Sequence, residues 1–170
     1  MLYVLAFALL PLPSVSNFLR PEIEALEAAT GVRPMVNQLE YHPFVPESTT
    51  ALVRWCQAQG IAVTAYGSLG GSSSKAGESG PRDASANLAT VAQRHGCSSA
   101  QVLLRWALDQ NVAVIPGATS AAHIRDNLNV PTFKFIASDR TLLSTQAKPD
   151  AFTRWRNLSE EDRGWCKDCI

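Results

Sequence analysis

A surplus of charge is the first thing this chain lacks: fifteen basic and fifteen acidic residues cancel among 170. That balance removes the electrostatic case for a nucleic acid or an anionic membrane as partner. Long hydrophobic runs are also scarce. Met1 to Pro13 is almost wholly apolar and no charge precedes Arg20. Pro11 and Pro13 interrupt it before the roughly 20 apolar residues that a membrane span needs. It also lacks the basic start and small-residue cleavage site of a secretory signal. The run reads as a partly buried strand or a ragged start, and residues 1–14 form an atypical segment. Cysteine is sparse: Cys56, Cys97, Cys166 and Cys169 show no framework spacing. Free thiols in a reducing compartment, the cytoplasm, are expected rather than disulfides. Cys166 and Cys169 have the C-x-x-C spacing of a redox pair or half a zinc site. No βαβ unit leads into them, so neither a redox nor a metal site is expected. Length is short as well, since a closed (β/α)8 barrel takes about 250 residues.

What the chain does have is a repeated pattern of apolar runs that end in polar clusters. Val36 leads to Asn37-Gln38, Ile61 to Tyr66 leads to Gly67-Ser68, and Val112 to Ile115 leads to Pro116 through Ser120. A fourth cluster, Ser16-Asn17, precedes the first helix. Polar residues at the C-terminal ends of strands are how parallel α/β folds build sites, because their βα loops converge on one face. Ile61 to Tyr66, apolar throughout, is expected to be a strand covered on both sides. Pro34 to Gln38 is expected to be a shorter one.

Between the strands lie helices. Arg20 to Thr30 has Pro21 at its start, acids in its first turn and Gly31 after it. Glu47 to Gln59 carries an apolar stripe of Leu52, Trp55 and Cys56. Ala86 to His95 ends at Gly96, with His95 expected to face solvent. A further helix, capped by Ser98 or Ser99, reaches Asp109 and buries Val102, Leu103, Trp106 and Ala107. Ser120 caps a short helix through Leu128. Gly67 to Ser85 is Gly/Ser-rich and is expected to be a mobile surface loop. After Asn129 the pattern weakens; Phe133 and Phe135 are placed against the sheet wall, and residues 144–170 are read as a loosely ordered polar tail. Strand and helix alternate, which points to βα units with a parallel sheet.

Five motifs then occur in order: Val15-Ser16-Asn17-Phe18, Val36 through Pro43, Ala65 through Gly70, Ala100 through Trp106, and Ile115-Pro116-Gly117. Together they resemble the C-terminal half of an aldo-keto reductase, over residues 15–143. The resemblance implies an α/β fold: a partial (β/α)8 TIM barrel, roughly its last four βα units. It implies NAD(P)H-dependent reduction of a small carbonyl substrate to an alcohol. The cofactor would be NADPH, with NADH as the alternative. Ser16, Asn17 and Gln38 would hydrogen-bond the nicotinamide carboxamide, which needs both donors and acceptors. Tyr66 would stack on the ring. Gly67, Ser68 and Leu69 would lie along the pyrophosphate, and Thr119, Ser120, His123, Asp126 and Asn127 would surround the adenosine end.

The chain departs from the family pattern in three ways. Gly117 stands where the family often has Lys, and His123 where it often has Arg. Both cations would meet the 2′-phosphate of NADPH; glycine offers no charge, and histidine little at pH 7. The family's catalytic Asp, Tyr, Lys and His come from the first half of the barrel, and nothing in this chain occupies those positions. No catalytic residue is therefore assigned. The chain alone is expected to be inactive, and either to self-associate or to need a partner barrel half. A non-catalytic cofactor-binding or interaction module is the alternative. Tyr41-His42 lies inside the Val36-to-Pro43 motif, just past the strand, and is read as structural.

Overall fold

The computed structural model describes residues 13–70 and 86–144. Met1 to Leu12, the Gly/Ser-rich stretch beyond Gly70, and the tail with Cys166 and Cys169 lie outside those residues. Four strands alternate with helices. The order is β1 (Ser14–Ser16), α1 (Arg20–Thr30), β2 (Val36–Glu40), α2 (Glu47–Ala58) and β3 (Ala62–Tyr66). It continues with α3 (Ala86–His95), α4 (Ser99–Leu108), β4 (Ala113–Val114), α5 (Ala121–Leu128) and α6 (Ala137–Ser144). The strands form one sheet in sequence order, and every neighbouring pair is parallel. This is part of a (β/α)8 barrel, four consecutive strands with helices between them.

Local chemistry explains the helix limits. Glu22 accepts a hydrogen bond from the Leu19 amide at 2.6 Å, and Gly31 closes α1 at φ 69° with its amide on the Glu27 carbonyl. Left-handed backbone of this kind is where glycine avoids a Cβ clash. In α4, Ser98 and Gln101 cap one another reciprocally. In α5, the Ser120 hydroxyl accepts from the His123 amide at 3.2 Å.

The sheet corrects one expectation. Side chains alternate between its faces, and only one face is buried. Leu39, Val63 and Ala65 point into the helix-covered side, whereas Ala62 is exposed and Gln38, Glu40, Thr64 and Tyr66 are only partly buried. The apolar run ending at Tyr66 is therefore a strand packed on one face, with threonine and tyrosine on the other. The second strand also runs to Glu40 rather than Gln38, because Leu39 and Glu40 continue the ladder opposite Ala65 and Tyr66.

Two clusters form the core. The first packs α1, α2 and the sheet through Ile23, Leu39, Tyr41, Val53, Cys56 and Val63. Within α2 the inward residues are Thr50, Val53 and Cys56, so the stripe lies one position off the expected line, with Leu52 and Trp55 at its flanks. The second cluster joins α3, α4 and α6 through Leu88, Val91, Leu103, Phe135 and Leu143. Phe133 and Phe135 belong to that cluster, not to the sheet wall. Leu104 is buried on α4 beside the expected residues.

Helix α6 was not legible as periodicity. It is anchored by Asp139, fully buried, which accepts from the Ile136 amide at 3.1 Å, meets His95 Nε2 at 2.8 Å and pairs with Arg94. His95 is thus a largely buried partner rather than a solvent-facing helix end, and its ring stacks on Phe133 with centroids 4.1 Å apart. Burial alone would raise the Asp139 pKa. The His95 hydrogen bond, the Ile136 amide and the Arg94 charge outweigh that and hold it below its ordinary value.

Candidate functional site

The site residues are placed by the C-terminal ends of the strands. Ser16, Gln38, Thr64 and Ala113 lie side by side across the sheet, and Glu40 faces Tyr66 in the next layer. All six belong to the face that the helices leave uncovered.

Three of the expected residues are tied together by hydrogen bonds. The Ser16 hydroxyl donates to the Gln38 carbonyl at 3.1 Å, Asn17 Nδ2 donates to Ser16 Oγ at 3.3 Å, and the Tyr66 hydroxyl donates to Asn17 Oδ1 at 3.0 Å. Asn17 ends its strand in left-handed backbone at φ 59°, with its amide on the Gln38 carbonyl at 2.9 Å. Asparagine is among the few residues other than glycine that adopt this conformation readily. An asparagine amide has two hydrogens and its oxygen two lone pairs. After these bonds Asn17 keeps one donor and one acceptor, the pair that a carboxamide would match.

The turn after β3 is tight. Gly67 at φ 59° and Gly70 at φ 79° bracket it, and the Gly70 amide bonds the Gly67 carbonyl at 2.8 Å. The carboxylate arm of Glu40 lies 3.5 Å from where a Gly67 Cβ would project. Ser68 is buried, and among the described residues its hydroxyl has no hydrogen-bond partner. Buried hydroxyls are normally paired, so this one suits a ligand oxygen. Leu69 is partly buried beside it.

The α5 side is different. Thr119, His123 and Asp126 are exposed, Ser120 and Asn127 are partly buried, and no residue of the helix is buried. Its C-terminal end is held by Gln101, whose Nε2 donates to the carbonyls of Asp126 and Asn129 at 3.2 and 3.0 Å. Gly117 is exposed with open space where a side chain would stand.

Tyr41 and His42 are both bonded within the fold. Tyr41 points into the first core cluster, donates to Gln110 Oε1 at 2.6 Å, and packs on Trp106. Burial pushes its phenol pKa up, away from acid duty near neutrality. His42 spans Glu40 Oε1 at 3.3 Å and the Phe44 amide at 3.2 Å. Two residues near the site carry no role in the sequence reading, although Asn37 stands in its second polar cluster. Glu40 sits against the Gly67 turn, and Asn37 Nδ2 donates to the Phe18 carbonyl at 2.8 Å. Alternation along β2 could have found both: it puts Glu40 on the face of Gln38, and an amide on the apolar face. Among the described residues, no group of three or more His, Cys, Asp or Glu side chains could hold a metal, and no helix is long and apolar enough to cross a membrane.

Comparison with known proteins agrees with this geometry. Residues 13–144 match the model of the Aldo/keto reductase family. The chain is 39% identical over 136 residues to 4-dihydromethyl-trisporate dehydrogenase of Mucor mucedo, covering 77% of this chain and 42% of that protein. It is 37% identical over 133 residues to a probable NAD(P)H-dependent D-xylose reductase of Aspergillus clavatus, covering 74% and 39%. Among solved structures it superimposes on apo Gox0644 with a TM-score of 0.67 and 28% identity, covering 82% of this chain and 48% of the other. The chain belongs to the aldo/keto reductase family. It spans about two fifths of the length of these curated relatives.

Proposed function

We propose that this chain is the cofactor-holding part of an NAD(P)H-dependent carbonyl reductase. The observation that carries the reading is the bonded set Ser16–Asn17–Tyr66 at the strand ends. Asn17 retains one free donor and one free acceptor there, and Ser16 and Gln38 lie beside it on the same face. These three residues would hold the nicotinamide carboxamide. Tyr66, with its hydroxyl fixed by Asn17, presents its ring to the open face as a stacking platform. The Ser68 hydroxyl, without a partner among the described residues, and the tight Gly67 turn would take the diphosphate. Thr119, Ser120, His123, Asp126 and Asn127 would border the adenosine.

A reduced nicotinamide, when bound, supplies the hydride that converts a carbonyl to an alcohol. The chain's residues orient it; none of the described ones is placed to give the proton. Tyr41, the other tyrosine among them, is buried in the core and bonded to Gln110. We therefore assign binding and orientation to the described residues and the proton step to residues outside them. With Gly117 and His123 at the adenosine end, NADH is expected to bind about as well as NADPH, because neither residue offers a fixed cation to a 2′-phosphate.

The test is fluorescence titration of the 170-residue chain with NADH and NADPH. Saturable binding, weakened by Tyr66→Ala, supports the reading. No binding at millimolar cofactor removes it. A generic aldehyde should not be turned over by the chain alone, and enzyme-like turnover would refute that division of labour.

A second reading has its own observation. The helices cover one face of the sheet, and the outer edges of β1 and β4 pair with no other strand among the described residues. Such edges favour association. A second copy or another barrel half would cover them, and sedimentation across a concentration series would reveal it.

A further inference from the structure

We infer that Asn37 is a positioning residue, the side chain that holds Asn17 in its site conformation. The inference rests on the functional reading above for its purpose, though not for its geometry.

Asn37 lies on the helix-covered face of β2, fully buried, in a row with Leu39 and opposite Val63. A primary amide there is costly unless both its ends are paired. Only one end is. Nδ2 donates to the Phe18 carbonyl at 2.8 Å and, at 3.9 Å, to Cys56 Sγ, while Oδ1 is buried with no partner among the described residues. An apolar side chain of similar volume would fill the position and orphan nothing on Asn37 itself. What the amide adds over such a side chain is the bond to the Phe18 carbonyl.

What its one good bond does is local. Phe18 follows Asn17, whose own amide is held by the Gln38 carbonyl at 2.9 Å. Adjacent residues of β2 thus grip Asn17 on both sides, one by its backbone carbonyl and the other by its side chain. Between those grips Asn17 sits at φ 59°, a conformation that a non-glycine residue keeps when its surroundings enforce it. That backbone turn aims Asn17 Oδ1 at the Tyr66 hydroxyl and Nδ2 at Ser16. Release of the Phe18 carbonyl would let Asn17 relax toward extended backbone and swing its amide off the site.

The test uses the full 170-residue chain and Asn37→Leu, which keeps the approximate shape and removes donor and orphan together. The Cα chemical shift of Asn17, read by NMR without cofactor, should leave the left-handed range. NADH binding should weaken by roughly five- to tenfold, the factor carried by one hydrogen bond of ordinary net worth. In an Asn17→Ala background the same substitution should weaken NADH no further, because the group it positions is gone. An unchanged Asn17 shift overturns the inference, and so does equal weakening in both backgrounds. If Asn37→Leu fails to fold, Asn37→Ser, too short to reach the Phe18 carbonyl, is read by the same two criteria. A shift that moves in a chain that binds no NADH upholds the role of Asn37 and discards the cofactor reading.

Discussion

The two ends of the candidate site are built on different physics. At the strand ends, Ser16, Asn17 and Tyr66 bond one another, and Asn17 is pinned to Gln38 through its backbone. Along α5, Thr119, His123 and Asp126 stand exposed, and the helix is held chiefly by its caps and by Gln101. A bonded cluster selects by shape and by donor–acceptor match, since its groups are already oriented before anything binds. An exposed helix selects mainly by charge, and solvent and salt screen that charge. Preorganisation is therefore concentrated at the end proposed for the nicotinamide, while the adenosine end is left open to adjustment.

The largest effect should come from a substitution that belongs to neither end. Asp139→Asn leaves α3 and α6 without their buried carboxylate and should cost about 3 kcal/mol of stability, read by thermal or urea unfolding. The Asp139 pKa is lower in the folded chain than the ordinary carboxyl value of 3.8. The folded state then binds fewer protons than the unfolded one between those two values. This contribution is present above about pH 4 and is lost as pH falls through the folded value. The acid limb of the stability profile should flatten in Asp139→Asn, and cofactor affinity near neutral pH should not move. A loss of affinity there would erase the separation between scaffold and site.

Tyr66→Ala comes next. It removes the ring and the hydroxyl that fixes Asn17, and should raise the NADH dissociation constant by about thirtyfold, roughly 2 kcal/mol. Gly67→Ala strains a left-handed position at φ 59° beside Glu40 and should cost about 1 kcal/mol, seen in both melting and binding. At the other end, Gly117→Lys places a cation in open space. It should tighten NADPH by about fivefold and leave NADH unchanged. His123→Ala should change either affinity by less than about twofold, since an exposed side chain with no built partner contributes little. If His123→Ala proved as damaging as Tyr66→Ala, the contrast between the two ends would fail.

Some of this was legible residue by residue. Pro21 and Gly31 mark both limits of α1, Ser98 and Ser120 cap the helices they precede, and each strand closes at or within two residues of a polar cluster. These signals are local: a cap or a left-handed turn involves atoms within a few residues of each other. The motifs around Ser16-Asn17 and Tyr66 likewise announced which residues would meet at the strand ends. Other features were not legible. His95 reads as a helix end until α6 supplies Asp139 from 44 residues away. Phe133 and Phe135 alternate as a strand would, yet pack among helices. The apolar run ending at Tyr66 gives no hint that one side stays uncovered, because a residue's periodicity shows its face but not what lies across from it.

The sequence by itself determined the alternation of strand and helix, the caps, and the polar residues at each strand end, because those depend on neighbours along the chain. The tertiary structure alone decided that Tyr66 would fix Asn17 and that Asn37 would hold Phe18 from beneath the sheet. Those contacts join residues up to 49 positions apart. They exist only because parallel pairing sets Ser16 beside Gln38 and Glu40 beside Tyr66 in one register, and a shift of a single residue would send each side chain to the other face.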